Sequence, residues 1–483
     1  MCIKRKPVLR LGIVRRRMQF IFGSHRLRTA RFAPGKMNPV QSNHSSGIVC
    51  QVVAILISIV LCLFPIPVDA YSVLSHEAII DATWSTNIVP LIKKRFPNPT
   101  MDQLREAHAY AYGGAIIQDM GYYPYGSKFF SDLTHYVRCG DFVEALLRDA
   151  QDINEYAFAL GSMSHYAADN VGHRVAVNRV VPMLYPKLER KYGNEVTFED
   201  DPVAHVKTEF GFDVVQVAKG HYAPDAYHGF IGFEVAQSLL ERAFKQTYGL
   251  DLTGLLDHKG KAIGSYRYDV SKLIPKATRV AWQVKKKEIQ QDLPGMTQQK
   301  FLYNLSRASY EKNWGTDYRQ PTAGEKALAF LFRLVPKIGP LKVLAFKTPT
   351  PQAENLFEAS FNGILDRYRA ELTELFNGSV SLPNDNMDVG KDTPPGAYHL
   401  NDDTYANLLD RLAAQNFAGV TPELQADIEH FYFNPAAPNA TRHNAKRWSK
   451  LQSELAQLKS TSPSNLSRVD TEGESTTTDQ TLR

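Results

Sequence analysis

From residue 71 to about residue 255, apolar positions recur at helical spacing and β-alternation is scarce, so the pattern predicts helices. The stretch Asp152 to Ala168 shows it well: Ile153, Ala157, Leu160 and Ser164 form one stripe, with Phe158, Gly161 and His165 on the adjoining one. Thr100-Met-Asp-Gln103 and Asp141-Phe-Val-Glu144 read as capping boxes ahead of apolar runs. Asp201-Pro202 places a cap and a first-turn proline before Val203, with Gly220 as the stop. Loops are expected at Gly121–Gly126, Tyr192–Asn194 and Asp257–Gly260. The segment 256–458 also reads as helical, for example Asp402 to Phe417 closed by Gly419. It is broken at Lys347–Pro351 and around Pro383 to Pro395. From Ser460 the chain is rich in Ser, Thr, Asp and Glu and reads as disordered. The expectation is an all-α protein with four parts: a targeting segment 1–70, a catalytic domain 71–255, a helical C-terminal extension 256–458, and a tail 459–483.

The targeting segment changes the picture of charge. Its basic residues all precede Met37, and an apolar run from Ile48 to Phe64 follows, ending in Pro65-Ile-Pro67 and Val68-Asp-Ala70. The run is short for a spanning helix and proline-broken, and the small residues suit a signal peptidase. Cleavage after Ala70 is expected, giving a secreted or periplasmic protein; the alternative is a signal anchor in the membrane. Losing this segment removes 11 basic residues and one acidic residue, which turns the net charge of +6 into −4. Charge therefore gives no support to a general nucleic-acid-binding surface. Of the four cysteines only Cys139 lies beyond residue 70, so the exported chain has no internal disulfide. The run Ala327–Pro336 is too short to span and carries Arg333, so it reads as a core or interfacial helix.

Candidate chemistry lies in the histidines. Twelve of the 14 fall after residue 70, and five stand among carboxylates in the order His76, Asp119, His135, His165-x-x-x-Asp169, His173, His205-x-x-x-Glu209. Residues four apart share a helix face, so two such pairs on separate helices can converge on one metal-lined cleft. Zinc takes imidazole nitrogen together with carboxylate oxygen. A lone histidine of this kind is commonly a structural residue, and His108, His221 and His228 are read that way. The conjunction of pairs within one segment is what points to metal.

Gln118-Asp-Met-Gly-Tyr-Tyr-Pro124, Asp132-Leu-Thr-His-Tyr136, Phe158 to Asp169 and His205-Val-Lys-Thr-Glu209 together resemble the zinc-dependent phospholipase C family, more distantly the single-strand-specific zinc nucleases. The resemblance covers residues 71 to about 215. It implies a helical phospholipase C-like domain holding three Zn²⁺ ions. By position, Asp119, His135, His165 and Asp169 would hold the first, and His173, His205 and Glu209 the second. Tyr71, through its free amine and carbonyl, would hold the third with His76 and a bridging Asp169. The implied activity is a phosphodiesterase, hydrolysing the glycerol–phosphate ester of phospholipids through a zinc-activated water. Asp119 is a candidate catalytic base as well as a ligand. The implied partners are a phospholipid substrate and, transiently, a membrane surface, with no stable binding of nucleic acid.

Two departures from the family pattern stand out. His173 follows Asp169 by four residues where the family's gap is longer, and Gly172 stands where proline is usual; Asn170 or another His is an alternative ligand. The choline-recognising positions align with Leu74, Met120 and Asp132, so choline specificity is not implied, although Tyr122, Tyr123 and Tyr125 are candidates for a cation cage. Two other readings remain open. A zinc nuclease fits the Tyr71–His76 spacing, but it would end the second pair in Asp rather than Glu209 and usually carries disulfides. A non-catalytic, zinc-stapled helical protein is the other, although structural zinc sites favour Cys-rich ligand sets.

Overall fold

The computed structural model describes residues 73–219, 233–256, 259–270, 286–287, 290–291, 346–434 and 436–461. Among them every regular element is helical, and the one β-type pairing is an isolated bridge between Asn386 and Lys391. The segment 1–70, Tyr71, His221, His228, the Ala327–Pro336 run and the tail beyond Thr461 lie outside the described residues.

Helix α1 (Val73–Thr83) passes through a wide turn at Trp84–Ile88 into α2 (Val89–Arg95). Helix α3 (Met101–Gly114) begins with the expected capping box: Thr100 accepts from the Gln103 N–H, and the Gln103 side chain accepts from the Thr100 N–H. Then come α4 (Lys128–Tyr136), α5 (Cys139–Asp149) and the central α6 (Ile153–Gly172), whose first turn is capped by Asp152. After a second wide turn at His173–Val177 follow α7 (Asn178–Leu184) and α8 (Pro186–Tyr192), which ends at Gly193 with φ of 90°. Helix α9 (Pro202–Lys219) starts as the Asp-Pro pair predicts, with Asp201 accepting from the Ala204 N–H at 2.9 Å. Gly220, its expected stop, is outside the described residues.

Three shorter helices, α10 (Gln237–Tyr248), α11 (Leu252–Leu255) and α12 (Lys259–Tyr268), follow. Gly260 thus sits inside α12 rather than in the expected loop. The remaining helices are α13 (Pro351–Asn377), α14 (His399–Ala414), α15 (Pro422–Phe431) and α16 (Ala445–Ser460). Among the described residues no helix is long and apolar enough to cross a membrane.

Two boundaries differ from expectation for the same reason: distant chain meets the helix end. Helix α5 begins at Cys139, so Asp141 lies in its first turn rather than at its cap, paired with Arg138 Nε at 2.6 Å. The Asp141 N–H instead donates to Asn384 Oδ1 (3.0 Å), and Glu144 accepts from the Leu382 N–H (2.7 Å). Helix α14 begins and ends three residues earlier than predicted, and its exit uses left-handed backbone at Asn416 and Phe417. Gly419 serves another purpose. A Cβ there would stand 2.2 Å from the Gly249 carbonyl oxygen, so its bare Cα lets two chain segments touch.

Helix α6 is buried along its whole length from Tyr156 to Gly172 and is flanked by α1, α3, α5 and α13. Its closest neighbour is α3, and glycines set the distance. A Cβ on Gly161 would lie 2.1 Å from the Ala111 carbonyl oxygen, and one on Gly114 would lie 1.9 Å from that of Phe158. The Gly161→Ala variant is therefore expected to lose about 1–3 kcal/mol of stability in urea denaturation, since overpacking there can only be relieved by parting two backbones. A midpoint equal to the parent's would show that α3 and α6 can separate freely.

Candidate metal centre

Five local structures carry the site. His165, Asp169 and His173 are successive fourth residues on α6 and the turn that continues it, so all three point from one face. This accounts for the short gap before His173: spacing by four keeps it on the stripe of its two predecessors. His205, Glu209 and Asp213 form a matching stripe on α9. Asp213 accepts from the Leu74 N–H (3.0 Å) and the Ser75 hydroxyl (2.9 Å), which pins the start of α1 and sets His76 beside the cluster. Asp119 rides on a tight turn, Ile117–Tyr122, tied to its surroundings through Gln118. The Gln118 side-chain amide donates to Ser162 O on α6 (3.0 Å), and the Gln118 backbone carbonyl accepts from the hydroxyls of Ser131 and Thr134 on α4. Helix α4 carries His135.

These residues meet in three groups that could each hold a metal ion: Asp119, His135 and His165; His76, His165 and Asp169; and His173, His205 and Glu209. None is more than 3 % exposed, so water does little to screen them. Asp169 faces two ways. Its Oδ2 lies 3.1 Å from His165 Nε2 and 3.4 Å from His135 Nε2, while its Oδ1 lies 3.6 Å from His76 Nε2 and 4.0 Å from His173 Nε2. Asp119 Oδ1 is 3.3 Å from His135 Nε2, and Glu209 Oε1 is 3.3 Å from His173 Nε2 and 3.1 Å from His205 Nδ1. A tetrahedron around zinc with ligands about 2.0–2.2 Å away has edges of about 3.3–3.6 Å, the range in which most of these separations fall.

The family model for zinc dependent phospholipase C matches residues 75–253. This segment is a zinc-dependent phospholipase C domain. The chain is thus a hydrolase, and no curated protein or solved structure matches it.

The donor set of this phospholipase C domain also fits zinc by its tautomers. His135 Nδ1 lies 2.7 Å from Ser131 O and His165 Nδ1 lies 3.0 Å from Ala115 O. A carbonyl can only accept, so each Nδ1 carries the proton and each Nε2 turns a lone pair inward. Those two Nε2 atoms face each other at 3.4 Å. His205 repeats the pattern in reverse. Its Nε2 donates to Asn178 Oδ1 (3.1 Å), the Asn178 amide being oriented by its own donation to Asp388 O (2.7 Å), and its Nδ1 is left facing the Glu209 carboxylate. The carboxylate oxygens of Asp119, Asp169 and Glu209 receive no hydrogen bond of ordinary geometry. Acceptors pointing at acceptors in a dry interior suit a cation between them.

Protons compete for the same atoms. Burial opposes charge on His135, but Asp119 and Asp169 outweigh it and hold the ring well above the usual histidine range. Burial likewise opposes charge on His173, and Asp169, Asp388 and Glu209 outweigh it. Zinc must displace such protons, so acid favours the metal-free form. Because these rings stay protonated above the ordinary histidine range, zinc affinity is expected to keep rising as pH climbs through neutrality. Calorimetry in buffers of differing ionisation enthalpy should show protons released on binding. A flat profile with no release would contradict this picture.

Several neighbours were not visible in the sequence. Asp388, from the irregular stretch between α13 and α14, lies 3.5 Å from His173 Nδ1. Tyr122 stands beside His135 and Phe198, and Phe198 stands edge-on to His205. The three tyrosines of the 121–126 loop do not gather into a cage. Tyr123 is buried against Tyr266, and Tyr125 is exposed beside Lys261. Leu74 and Met120, aligned with choline-recognising positions, are fully buried. The Asn170 side-chain N–H donates to Tyr166 O one turn back (2.9 Å). His108 stacks on Trp84 and faces Asp81, the structural role expected of it.

Proposed function

We propose that the chain is an exported zinc phosphodiesterase that hydrolyses the glycerol–phosphate ester of phospholipids, leaving diacylglycerol and a phosphorylated headgroup. The observation that carries this reading is the two-sided Asp169, whose separate oxygens face separate sets of imidazoles. One carboxylate placed in this way suits adjacent metal ions, the arrangement that clamps both sides of a phosphodiester. When bound, zinc supplies Lewis acidity that lowers the pKa of water and offsets charge on phosphoryl oxygens.

The chain's own groups do the rest. Backbone carbonyls of Ser131 and Ala115 lock the rings of His135 and His165, so their Nε2 atoms need no reorganisation. Asp169 would contribute one oxygen to each of two neighbouring zinc sites, and His173, His205 and Glu209 would hold a further ion. Asp119 is assigned both ligation and acceptance of a proton from the attacking water. The group of His76, His165 and Asp169 would be completed by the amine and carbonyl of Tyr71 once cleavage after Ala70 freed them, so that export and activation would coincide. The basic stretch before Met37 and the apolar run to Phe64 support that export.

The test is hydrolysis of mixed phospholipid vesicles by protein beginning at Tyr71, with single-stranded DNA in parallel. Chelator-sensitive release of phosphorylated headgroup is the expected outcome. Cleavage of DNA alone would transfer the chain to the nuclease branch. Zinc retained without either activity would leave a metal-stapled structural protein.

A further inference from the structure

The segment 382–398 lies outside the phospholipase C match, yet it is threaded through that domain residue by residue. Tyr166 OH donates to Pro383 O (2.7 Å), Cys139 Sγ lies 2.8 Å from Asp385 O, and the Met387 N–H donates to His135 O (3.1 Å). Asn178 donates to Asp388 O, and Gly390, with φ of 63°, passes so close to Asn170 that a Cβ would lie 2.1 Å from its carbonyl oxygen. This path delivers one carboxylate to the back of the cluster. Asp388 is 3 % exposed, and its Oδ1 faces His173 Nδ1. Its Oδ2 accepts hydrogen bonds from the hydroxyls of Tyr136 (2.8 Å) and Tyr398, and its N–H donates to Asn386 Oδ1 (3.0 Å).

We propose that Asp388 is a positioning residue of the metal centre, supplied by the C-terminal extension: it holds the proton of His173 on Nδ1 and so turns Nε2 toward Glu209 and Asp169. This rests on the reading of the cluster as a zinc centre. A carboxylate behind a ligating histidine fixes the ring's tautomer and rotation and raises its basicity. Here the carboxylate is itself held by two tyrosines, one from α4 and one from the end of the 382–398 segment. The extension therefore completes the ligand shell from behind, and Asn178 links the same residue's carbonyl to the tautomer of His205. Both histidines of the His173, His205 and Glu209 group are thus oriented by Asp388, one through its side chain and one through its backbone.

The test measures zinc binding by the full-length chain in competition with a chromophoric chelator. Asp388→Asn is expected to lose about ten- to a hundredfold in affinity for one zinc class while the other class is retained. Asp402→Asn serves as the control, because Asp402 lies in the same extension but accepts only from the N–H groups of Gly396 and Ala440. It is expected to bind zinc as the parent does. Unchanged affinity in Asp388→Asn would overturn the proposal. The tautomer of His173 is read independently by imidazole nitrogen NMR on the zinc-loaded parent, which does not depend on the variant folding. A proton on Nδ1 supports the proposal, and a proton on Nε2 overturns it. A parent chain that takes up no zinc would instead sink the zinc-centre reading beneath it, an outcome distinct from either.

Discussion

Replacing Asp169 by Asn should abolish turnover and strip two metal ions rather than one. The side chain is fully buried and its two oxygens face different imidazoles, His135 and His165 on one side and His76 and His173 on the other. An amide keeps the shape but removes the negative charge that two cations would share, and it turns one ligating oxygen into a donor aimed at a cation. A loss of at least about a thousandfold in kcat/KM is expected, corresponding to about 4 kcal/mol of transition-state stabilisation. Metal analysis of the variant beside the parent decides the mechanism of that loss. If a single ion departs and activity persists, Asp169 is not a bridge and the division of ligands must be redrawn.

Removing zinc should cost stability almost as visibly as it costs activity. The interior holds His76, Asp119, His135, His165, Asp169, His173, His205 and Glu209 with next to no solvent contact. Without cations this collection keeps its charges apart only by taking up protons and by pairing imidazole with carboxylate, while desolvation still weighs on every group. A metal present at about a thousand times its dissociation constant adds about 4 kcal/mol per site to the native state. For a chain of this size, where a kilocalorie moves the midpoint by about one degree, two or three sites amount to a fall of roughly 10 °C on chelation. Calorimetric scans with and without chelator, followed by readdition of zinc, provide the check. An unfolding temperature indifferent to chelation would mean that the cluster folds well without metal.

Much of the site was legible because it is written in helical spacing. His165 and Asp169, and His205 and Glu209, are fourth neighbours, and the helices they stand on form as the apolar stripes require. The capping box at Thr100 and the Asp-Pro start at Asp201 were equally legible, since a cap is a contact between residues three apart. What escaped was everything supplied from far along the chain. Asp141 and Glu144 looked like a capping pair because their true partners, Asn384 for the one and Leu382 for the other, are more than two hundred residues away. Gly419 looked like a helix stop because nothing local reveals that Gly249 will press against it. Asp388 is a single carboxylate in an irregular stretch with no period, and only the folded chain brings it behind His173.

The account stands on zinc occupying the space between facing lone pairs. Anomalous diffraction from zinc-loaded crystals at the zinc absorption edge measures that directly. The predicted result is a group of anomalous peaks inside the cluster, one between the Nε2 atoms of His135 and His165 and another between His173, His205 and Glu209. Zinc peaks confined to surface residues, with none within the cluster, would contradict it.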